Sequence, residues 1–244
     1  MMKTFSLPFG KGTQTVSLDE AHVLYDLHGN PVDAVADEQE AIRQALRHPI
    51  GSAPLKDVVQ AGDTVAIIVS DITRLVHTAQ MLPVIVDELN QAGVRDEQIT
   101  VVTAQGTHRA HRPEEDVIVC GEDMVKRVKV VSHDCRDASQ LTKIGTTTHG
   151  NDVYLDSHVV QADKVILTGA VSFHPMAGFG GGRKAVLPGV ASYETIMRNH
   201  AMALTDAFGG GCNPRCETSL LEDNPLHDDM KQAAALLNPC FLVN

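Results

Sequence analysis

The chain has 244 residues, of which 43% are hydrophobic and 21% charged, as in an ordinary globular protein. These values exclude a disordered chain, a collagen-like chain and a small disulfide-rich scaffold. Twenty Lys and Arg side chains against thirty-one Asp and Glu give a formal net charge of −11, which argues against a protein that binds the nucleic-acid backbone. The sequence has no long apolar run and no secretory signal pattern, and its five cysteines are an odd number. We therefore expect a cytoplasmic protein with reduced thiols and a small-molecule substrate, without nucleic-acid or membrane partners.

The N-terminal part of the chain predicts strands followed by a helix. The first thirty residues alternate apolar and polar side chains around turn residues, which is typical of short antiparallel strands. Asp37, with Glu40 three residues further on, forms a capping-box pattern, so we expect a helix that ends before Pro49. Residues 64–70 then form a continuous apolar run, which indicates a strand covered on both faces of a sheet.

Helix and strand patterns alternate along the next part of the chain. We expect a helix over 81–93, with Pro83 in its first turn and Gly93 at its end, and then a strand over 99–103. The remaining expected elements are a helix over 113–120, strands over 128–131 and 164–170, and a helix over 228–237. This alternation predicts an α/β fold with a doubly wound, mostly parallel sheet flanked by helices, preceded by short N-terminal antiparallel strands.

The last residues, from Cys240 to Asn244, are apolar and strand-like and follow the last helix without a stop signal. We therefore expect residues 1–228 to form an N-terminal α/β domain that contains the functional site. Residues 229–244 are then expected to begin the connection to a second domain that is absent from this chain.

Chemically reactive side chains follow three of the predicted strands. Asp71, Ile72, Thr73 and Arg74 come after the strand 64–70, residues 105–109 with His108 after 99–103, and residues 172–175 with His174 after 164–170. Ligands bind beyond the carboxyl ends of the strands in an open parallel sheet. We therefore expect these segments to meet in one crevice.

A glycine-rich segment, 178–184, ends at a lysine. It does not match a Walker loop, because Ala185 follows Lys184 where Ser or Thr is required, and Arg183 replaces the third glycine of a dinucleotide fingerprint. Its glycines permit close backbone approach to a bulky group and bring a candidate nucleophile, Lys184, to it. The alternative is a flexible loop with a solvated lysine.

Three histidines and two cysteines are candidate metal ligands or proton-transfer groups. His108, His174 and His200 suit either role. Cys212 and Cys216 have the spacing of half a metal site, but no second pair accompanies them, so a structural zinc site is disfavoured.

In their order along the chain, these motifs resemble the nickel-dependent lactate racemases and related racemases and epimerases of 2-hydroxy acids. The resemblance covers nearly the whole chain and rests on residues 52–55, 70–74, 106–109, 174, 177–184, 187–189 and 200. It implies that this chain corresponds to the first of two α/β domains, with the site between them. Two departures are Leu75, where family members usually have Pro, and Gly180, where they often have Ser.

The resemblance also implies a cofactor and a role for each site residue. The cofactor is a nickel-pincer pyridinium mononucleotide covalently tethered to a lysine, which Lys184 matches, and His200 matches the nickel ligand. His108 and His174 match the catalytic acid/base histidines. The segment that holds the cofactor and the anionic end of the site is matched by Asp71, Ile72, Thr73 and Arg74. The implied reaction racemises a lactate-like 2-hydroxy acid by proton-coupled hydride transfer through a 2-keto acid.

Two other functions stay open at this point. One is a metal-dependent hydrolase or lyase with His108, His174 and His200 as ligands. The other is a non-catalytic domain that binds a small anion. In the family, the second domain supplies polar side chains that contact the substrate, so the sequence does not identify which 2-hydroxy acid is bound.

Overall fold

The computed structural model describes residues 1–205 and 210–244 and divides the chain into two units, residues 1–36 and 37–244. In the first unit, strands β1 (Met2–Phe9) and β2 (Gly12–Asp19) form an antiparallel hairpin. Gly10 occupies the turn with a φ of 58°, a conformation that glycine adopts without steric cost. The predicted N-terminal antiparallel strands are thereby confirmed.

The second unit contains the parallel sheet and several short strand pairs. Its strands are β3 (Val65–Ser70), β4 (Ile99–Ala104), β5 (Lys129–Ser132), β6 (Leu141–Thr146), β7 (Asp152–Asp156), β8 (Lys164–Thr168), β9 (Phe173–His174), β10 (Gly178–Phe179), β11 (Leu204–Thr205), β12 (Gly211–Cys212) and β13 (Phe241–Val243). Five of them form a parallel sheet in the order β13-β8-β3-β4-β5. The pairs β6–β7, β9–β10 and β11–β12 are antiparallel.

Helices connect the strands of the sheet and cover both of its faces. They are α1 (Glu38–Arg47), α2 (Leu55–Val58), α3 (Thr78–Gln91), α4 (Pro113–Cys120), α5 (Glu122–Arg127), α6 (Ser157–Val160), α7 (Tyr193–Ala201) and α8 (Pro225–Leu237). The side chain of Asp37 accepts a hydrogen bond from the Glu40 N–H at 2.9 Å, which caps α1 where the sequence predicts it. None of the helices within the described residues is long and apolar enough to cross a membrane.

The central strand β3 explains the two-sided sheet. Val65, Ile67 and Val69 are buried in one apolar cluster with α1, α3 and α4, whereas Ala66 and Ile68 are buried in another with α6, α7 and α8. Alternate side chains of a strand point to opposite faces, so a continuous apolar run buries both faces at once. The doubly wound α/β fold predicted from this run is confirmed.

The structure corrects several element boundaries. Helix α3 begins three residues before the predicted position, after His77 in the left-handed conformation, so Pro83 lies inside the helix and not in its first turn. The strand expected over 164–170 ends at Thr168. The sequence analysis did not predict the hairpin β6–β7 or the helices α5 and α7. Strand β6 is only partly buried, so its sequence gives no clear apolar pattern.

The C-terminal segment lies in the second unit. Met230 and Ala233 of α8 are fully buried, and β13 pairs in parallel with β8 at the edge of the sheet. The helix predicted over 228–237 begins earlier, at Pro225, behind an Asn224 cap. Residues 229–244 thus belong to this unit, and the expectation that they begin the connection to a second domain stays a prediction.

Candidate active site

A cavity of about 620 Å³ opens at the carboxyl ends of β3, β4 and β8. The chain leaves β3 for β4 on one side, whereas β8 lies on its other side, so the strand order reverses at β3. Such a switch point is where open α/β sheets bind ligands. The segment after β8 with the hairpin β9–β10, the 3₁₀ turn Gly182–Ala185 and helix α7 contribute further walls.

The structure brings most of the predicted site residues to this cavity. The residues of the predicted set that line it are Asp71, Arg74, His108, His174, Lys184 and His200. Ile72 and Thr73 do not line it: the Ile72 N–H donates to His111 Nε2 at 2.9 Å, and Thr73 donates to Asp71. The crevice predicted from the strand ends is therefore present in the structure, and the role of each residue in it stays a prediction.

Asp71 and His108 form a hydrogen-bonded pair across the ends of β3 and β4. Asp71 is only 4% exposed, and its Oδ2 lies 2.6 Å from His108 Nδ1. Its other oxygen, Oδ1, accepts from the Thr73 hydroxyl at 2.7 Å and from the Thr73 N–H at 3.2 Å. Because a carboxylate accepts, the ring donates from Nδ1. This leaves Nε2 of His108 able to accept a proton, as in a carboxylate-oriented general base.

His174 is held by the short hairpin β9–β10. Its Nδ1 accepts backbone N–H groups from Met176 at 3.2 Å and from Ala177 at 3.0 Å. Burial lowers the pKa of His174 to about 4, and the positive charges of Lys184 and Arg74 act in the same direction. The ring is therefore neutral near neutral pH.

The glycine-rich segment brings Lys184 to the cavity. Gly181 has a φ of 74°, and a Cβ added to it would lie 3.0 Å from the Ala170 carbonyl oxygen, so this position favours glycine. Burial, with the charges of Arg183 and Arg74, lowers the pKa of Lys184 to about 8. No hydrogen bond or ion pair joins its Nζ to any residue in the described ranges. Lys184 is thus a partly buried amine on a 3₁₀ turn, unlike the solvated lysine of the alternative interpretation.

His200 lies in the last turn of α7, which begins at the Ser192 cap. Its Nδ1 donates to the Ile196 carbonyl oxygen at 3.0 Å, which fixes the tautomer and leaves the Nε2 lone pair free. Burial lowers the pKa of His200, the Lys184 charge adds to this, and the Ile196 hydrogen bond opposes it. A neutral imidazole fixed by a backbone carbonyl is the form that binds a metal ion.

A buried polar network beneath His200 was not predicted from the sequence. Asp229, fully buried in α8, accepts from Thr147 Oγ1 at 2.6 Å, Asn151 Nδ2 at 2.8 Å and Asn199 Nδ2 at 2.9 Å. Asn199 directly precedes His200, so this network joins α8 to the helix that carries the candidate ligand. A sequence signal exists, because Asp229 falls on the apolar stripe of its helix beside Met230 and Ala233.

Two arginines next to the motifs have structural contacts of their own. Arg109 makes a bidentate pair with Glu115, at 2.7 Å for each hydrogen bond, and this lowers the pKa of Glu115. Arg183 donates to the carbonyl oxygens of Ala177 and Phe179.

Arg74 and Lys184 line the cavity, where the carboxylate of Asp71 already pairs with His108. The cavity is therefore cationic in a protein of net charge −11, which favours an anionic ligand.

The candidate metal sites differ from the simplest expectations. In the part of the chain that the structure describes, no group of three or more His, Cys, Asp or Glu side chains is arranged to hold a metal ion. The described residues therefore do not support the alternative in which His108, His174 and His200 hold a metal ion together. Cys212 is exposed and Cys216 is buried, and both are free thiols in the structure.

The fold and the cavity define an α/β protein with a cationic ligand site at the switch point of a parallel sheet. The model of the lactate racemase N-terminal domain matches residues 9–209, and the chain belongs to this family. The resemblance inferred from the sequence motifs is thereby confirmed.

Two curated relatives are similar over the whole chain. The lactate racemase of Thermoanaerobacterium thermosaccharolyticum is 31% identical over 245 residues, and that of Lactiplantibacillus plantarum is 34% identical over 249. Each comparison covers 100% of this chain but 56% of the relative. The chain therefore spans about half the length of the curated relatives that it matches.

Two solved structures share the fold. The lactate racemase apoprotein from Thermoanaerobacterium thermosaccharolyticum has a TM-score of 0.84 and 31% identity, covering 98% of this chain and 55% of that one. A protein from Thermotoga maritima has a TM-score of 0.64 and 21% identity, covering 87% of this chain and 49% of that one. The second likeness concerns the fold alone.

Proposed function

We propose that the polypeptide containing this chain racemises a 2-hydroxy acid, and that lactate, the substrate in the names of its relatives, is the first candidate. The observation that carries the proposal is that two imidazoles, His108 and His174, line one cationic cavity with Arg74 and Lys184. Inversion through a planar 2-keto acid requires proton transfer at either face, and histidine performs it near neutral pH. A guanidinium pairs with the carboxylate of such a substrate.

The residues at the cavity fit a tethered nickel-pincer pyridinium mononucleotide. Lys184 offers an amine whose lowered pKa, about 8, favours covalent attachment, and Gly180 and Gly181 line the cavity without side chains. His200 offers one neutral imidazole, so a metal ion bound there needs its other ligands from an organic group. When bound, the nickel-pincer group would supply the hydride acceptor and the nickel ion.

The chain's own residues perform the proton transfers in this proposal. Arg74 binds the carboxylate and orients C2. His108 Nε2 takes the hydroxyl proton while the hydride leaves C2, and the carboxylate of Asp71, 2.6 Å from Nδ1, stabilises the resulting imidazolium. The planar keto acid then presents its other face. In the return step the hydride would come back to C2 at that face, His174 would donate a proton to the oxygen and recover one from solvent, and His108 would release its proton to solvent.

The longer relatives support a second, C-terminal domain as the partner of this chain. In this proposal the second domain closes the site and contributes contacts to the substrate. Its side chains would then determine which 2-hydroxy acid is bound.

A non-catalytic anion-binding domain is less well supported. Such a site requires the cations Arg74 and Lys184. Anion binding does not require the buried Asp71 carboxylate that orients His108, and it does not require a second imidazole. The Asp71–His108 pair therefore favours catalysis.

The proposal is tested with the full polypeptide, produced with its cofactor and compared with the Lys184→Ala variant. Lys143, an exposed lysine that pairs with Asp152 at 2.9 Å, provides the matched control variant Lys143→Ala. We expect the intact mass to show a covalent adduct in the parent and in Lys143→Ala but not in Lys184→Ala, and we expect enantiopure lactate to be racemised only where the adduct is present. An adduct that persists in Lys184→Ala would refute the tether. Loaded protein that inverts no member of a panel of chiral 2-hydroxy acids would refute the reaction.

A further inference from the structure

The two cavity histidines are fixed in opposite ways at Nδ1. At His108, Nδ1 faces a carboxylate oxygen of Asp71 at 2.6 Å, so this nitrogen carries the hydrogen. At His174, Nδ1 faces the backbone N–H groups of Met176 and Ala177, at 3.2 and 3.0 Å, so this nitrogen carries the lone pair. The donors and acceptors that surround each ring therefore determine its tautomer.

Both arrangements are part of the fold. The Asp71 carboxylate is held in place because Thr73 donates to its other oxygen twice, from the hydroxyl and from the N–H. His174 pairs with Gly178 in the β9–β10 hairpin, and the two donating amides lie in the turn of that hairpin. A neutral His174 with a hydrogen on Nδ1 would direct this hydrogen at two N–H groups and lose both hydrogen bonds.

We propose that the resting protein holds His108 as the Nδ1–H tautomer and His174 as the Nε2–H tautomer, so that one histidine enters the reaction as a proton acceptor and the other as a hydrogen-bond donor. The catalytic part of this inference rests on the function proposed above. A substrate oxygen then meets a lone pair at His108 Nε2 and an N–H group at His174 Nε2.

This asymmetry makes the first oxidation step selective between enantiomers. For the enantiomer whose hydroxyl faces His108, Nε2 would take the proton and the hydride would pass from C2, with both electrons, to the acceptor that the bound cofactor would supply. The products would be the keto acid, the reduced acceptor and an imidazolium paired with Asp71. For the other enantiomer, His174 has first to move its hydrogen from Nε2 to Nδ1 and give up the Met176 and Ala177 hydrogen bonds. Because positioned proton transfer contributes about a hundredfold to ten-thousandfold, we expect a difference of this order between the two first turnovers.

The tautomers are measured by nitrogen NMR on the cofactor-free full polypeptide labelled with ¹⁵N-histidine, at a pH where the rings are neutral. Signals are assigned with His108→Gln and His174→Gln. His111 is an internal reference, because its Nδ1 lies 2.9 Å from Asp116 and its Nε2 accepts the Ile72 N–H, so both contacts require the Nδ1–H form. We expect His108 to show the pattern of His111 and His174 the opposite pattern. A His174 signal with a protonated Nδ1 would overturn the inference.

A variant tests the cause at His108. In Asp71→Asn, the amide can either donate or accept, so we expect His108 to lose its single-tautomer pattern while His174 keeps its own. An unchanged His108 pattern in this variant would mean that Asp71 does not fix the ring.

The kinetic consequence is tested by single-turnover oxidation of each enantiomer with the loaded polypeptide. Unequal first turnovers, with the faster one abolished in His108→Gln, support the inference. Opposite tautomers with equal first turnovers would overturn the catalytic role assigned to them. If the loaded protein oxidises neither enantiomer, the proposed function fails, and the NMR result decides the tautomers separately.

Discussion

The amine of Lys184 provides a quantitative test of the electrostatics of the cavity. Its pKa is lowered from 10.5 to about 8, first by burial and then by the charges of Arg183 and Arg74. At about pH 7.5, such an amine is neutral in about a quarter of the molecules, against about one in a thousand for an ordinary lysine. Since only the neutral amine is nucleophilic, we expect Lys184 to react faster than an unperturbed lysine of equal access, with the ratio of neutral fractions, about two hundredfold, as the upper limit because a less basic amine is a weaker nucleophile.

Competitive labelling with a small acylating reagent, followed by peptide mapping, measures this rate across the pH range. Lys143 is the internal control, because the hydrogen bond to Asp152 raises its pKa and keeps it charged. We expect the labelling of Lys184 to reach half its maximum near pH 8, well below the value for Lys143. In Arg74→Gln the midpoint should move upward, because one of the cations that lower the pKa is removed. A Lys184 midpoint at or above that of Lys143 would contradict this description of the cavity.

Three further predictions follow from the contacts around the cavity. His200→Ala should lower nickel retention in the loaded full polypeptide more than it lowers the covalent adduct mass, and an unchanged nickel content would exclude His200 as the ligand. Asp229→Ala should lower the free energy of unfolding by about 3 kcal/mol, because three buried donors lose their acceptor. Asp229→Asn should lower it by less. Equal decreases in the free energy of unfolding of the two variants, measured by denaturant titration, would argue against the network. Burial raises the pKa of Asp156, but hydrogen bonds from His133 and His158 outweigh this effect and leave the pKa below 3.8. The Asp156 carboxylate therefore stabilises the fold at pH values above its unfolded pKa, and this contribution is lost as the pH falls through the folded pKa. The free energy of unfolding of His133→Ala, measured as a function of pH, should show a smaller loss in acid than that of the parent.

The sequence predicts β3, β4 and β8 well because these strands are short and buried on both faces. The apolar run at 64–70 corresponds to β3, whose side chains are divided between the two apolar clusters. The hairpin β6–β7 escapes the same reasoning, since it is only partly buried and its residues mix apolar and polar types without a clean period. The start of helix α3 was predicted three residues too late, because a proline usually lies in the first turn of a helix. Pro83 instead lies further inside α3.

The site was predicted as a set of segments but not as a set of contacts. Strand ends identify Asp71 and His108 separately, whereas their hydrogen bond depends on the register that pairs Ser70 with Ala104 across β3 and β4. Register is a long-range property that no local pattern determines. The Nδ1 contacts of His174 likewise depend on the turn between β9 and β10. Each of these strands has two residues, which is too short to give a periodic pattern in the sequence.

Racemisation of enantiopure lactate in D₂O by the loaded full polypeptide tests the central claim most directly. If the hydride that leaves C2 returns to the same carbon, the inverted product keeps protium at C2 while the hydroxyl and the imidazoles of His108 and His174 exchange with solvent. We expect proton NMR and chiral analysis to show complete racemisation without deuterium at C2. Deuterium at C2 of the inverted product would contradict hydride transfer, and an absence of inversion would contradict the proposed reaction.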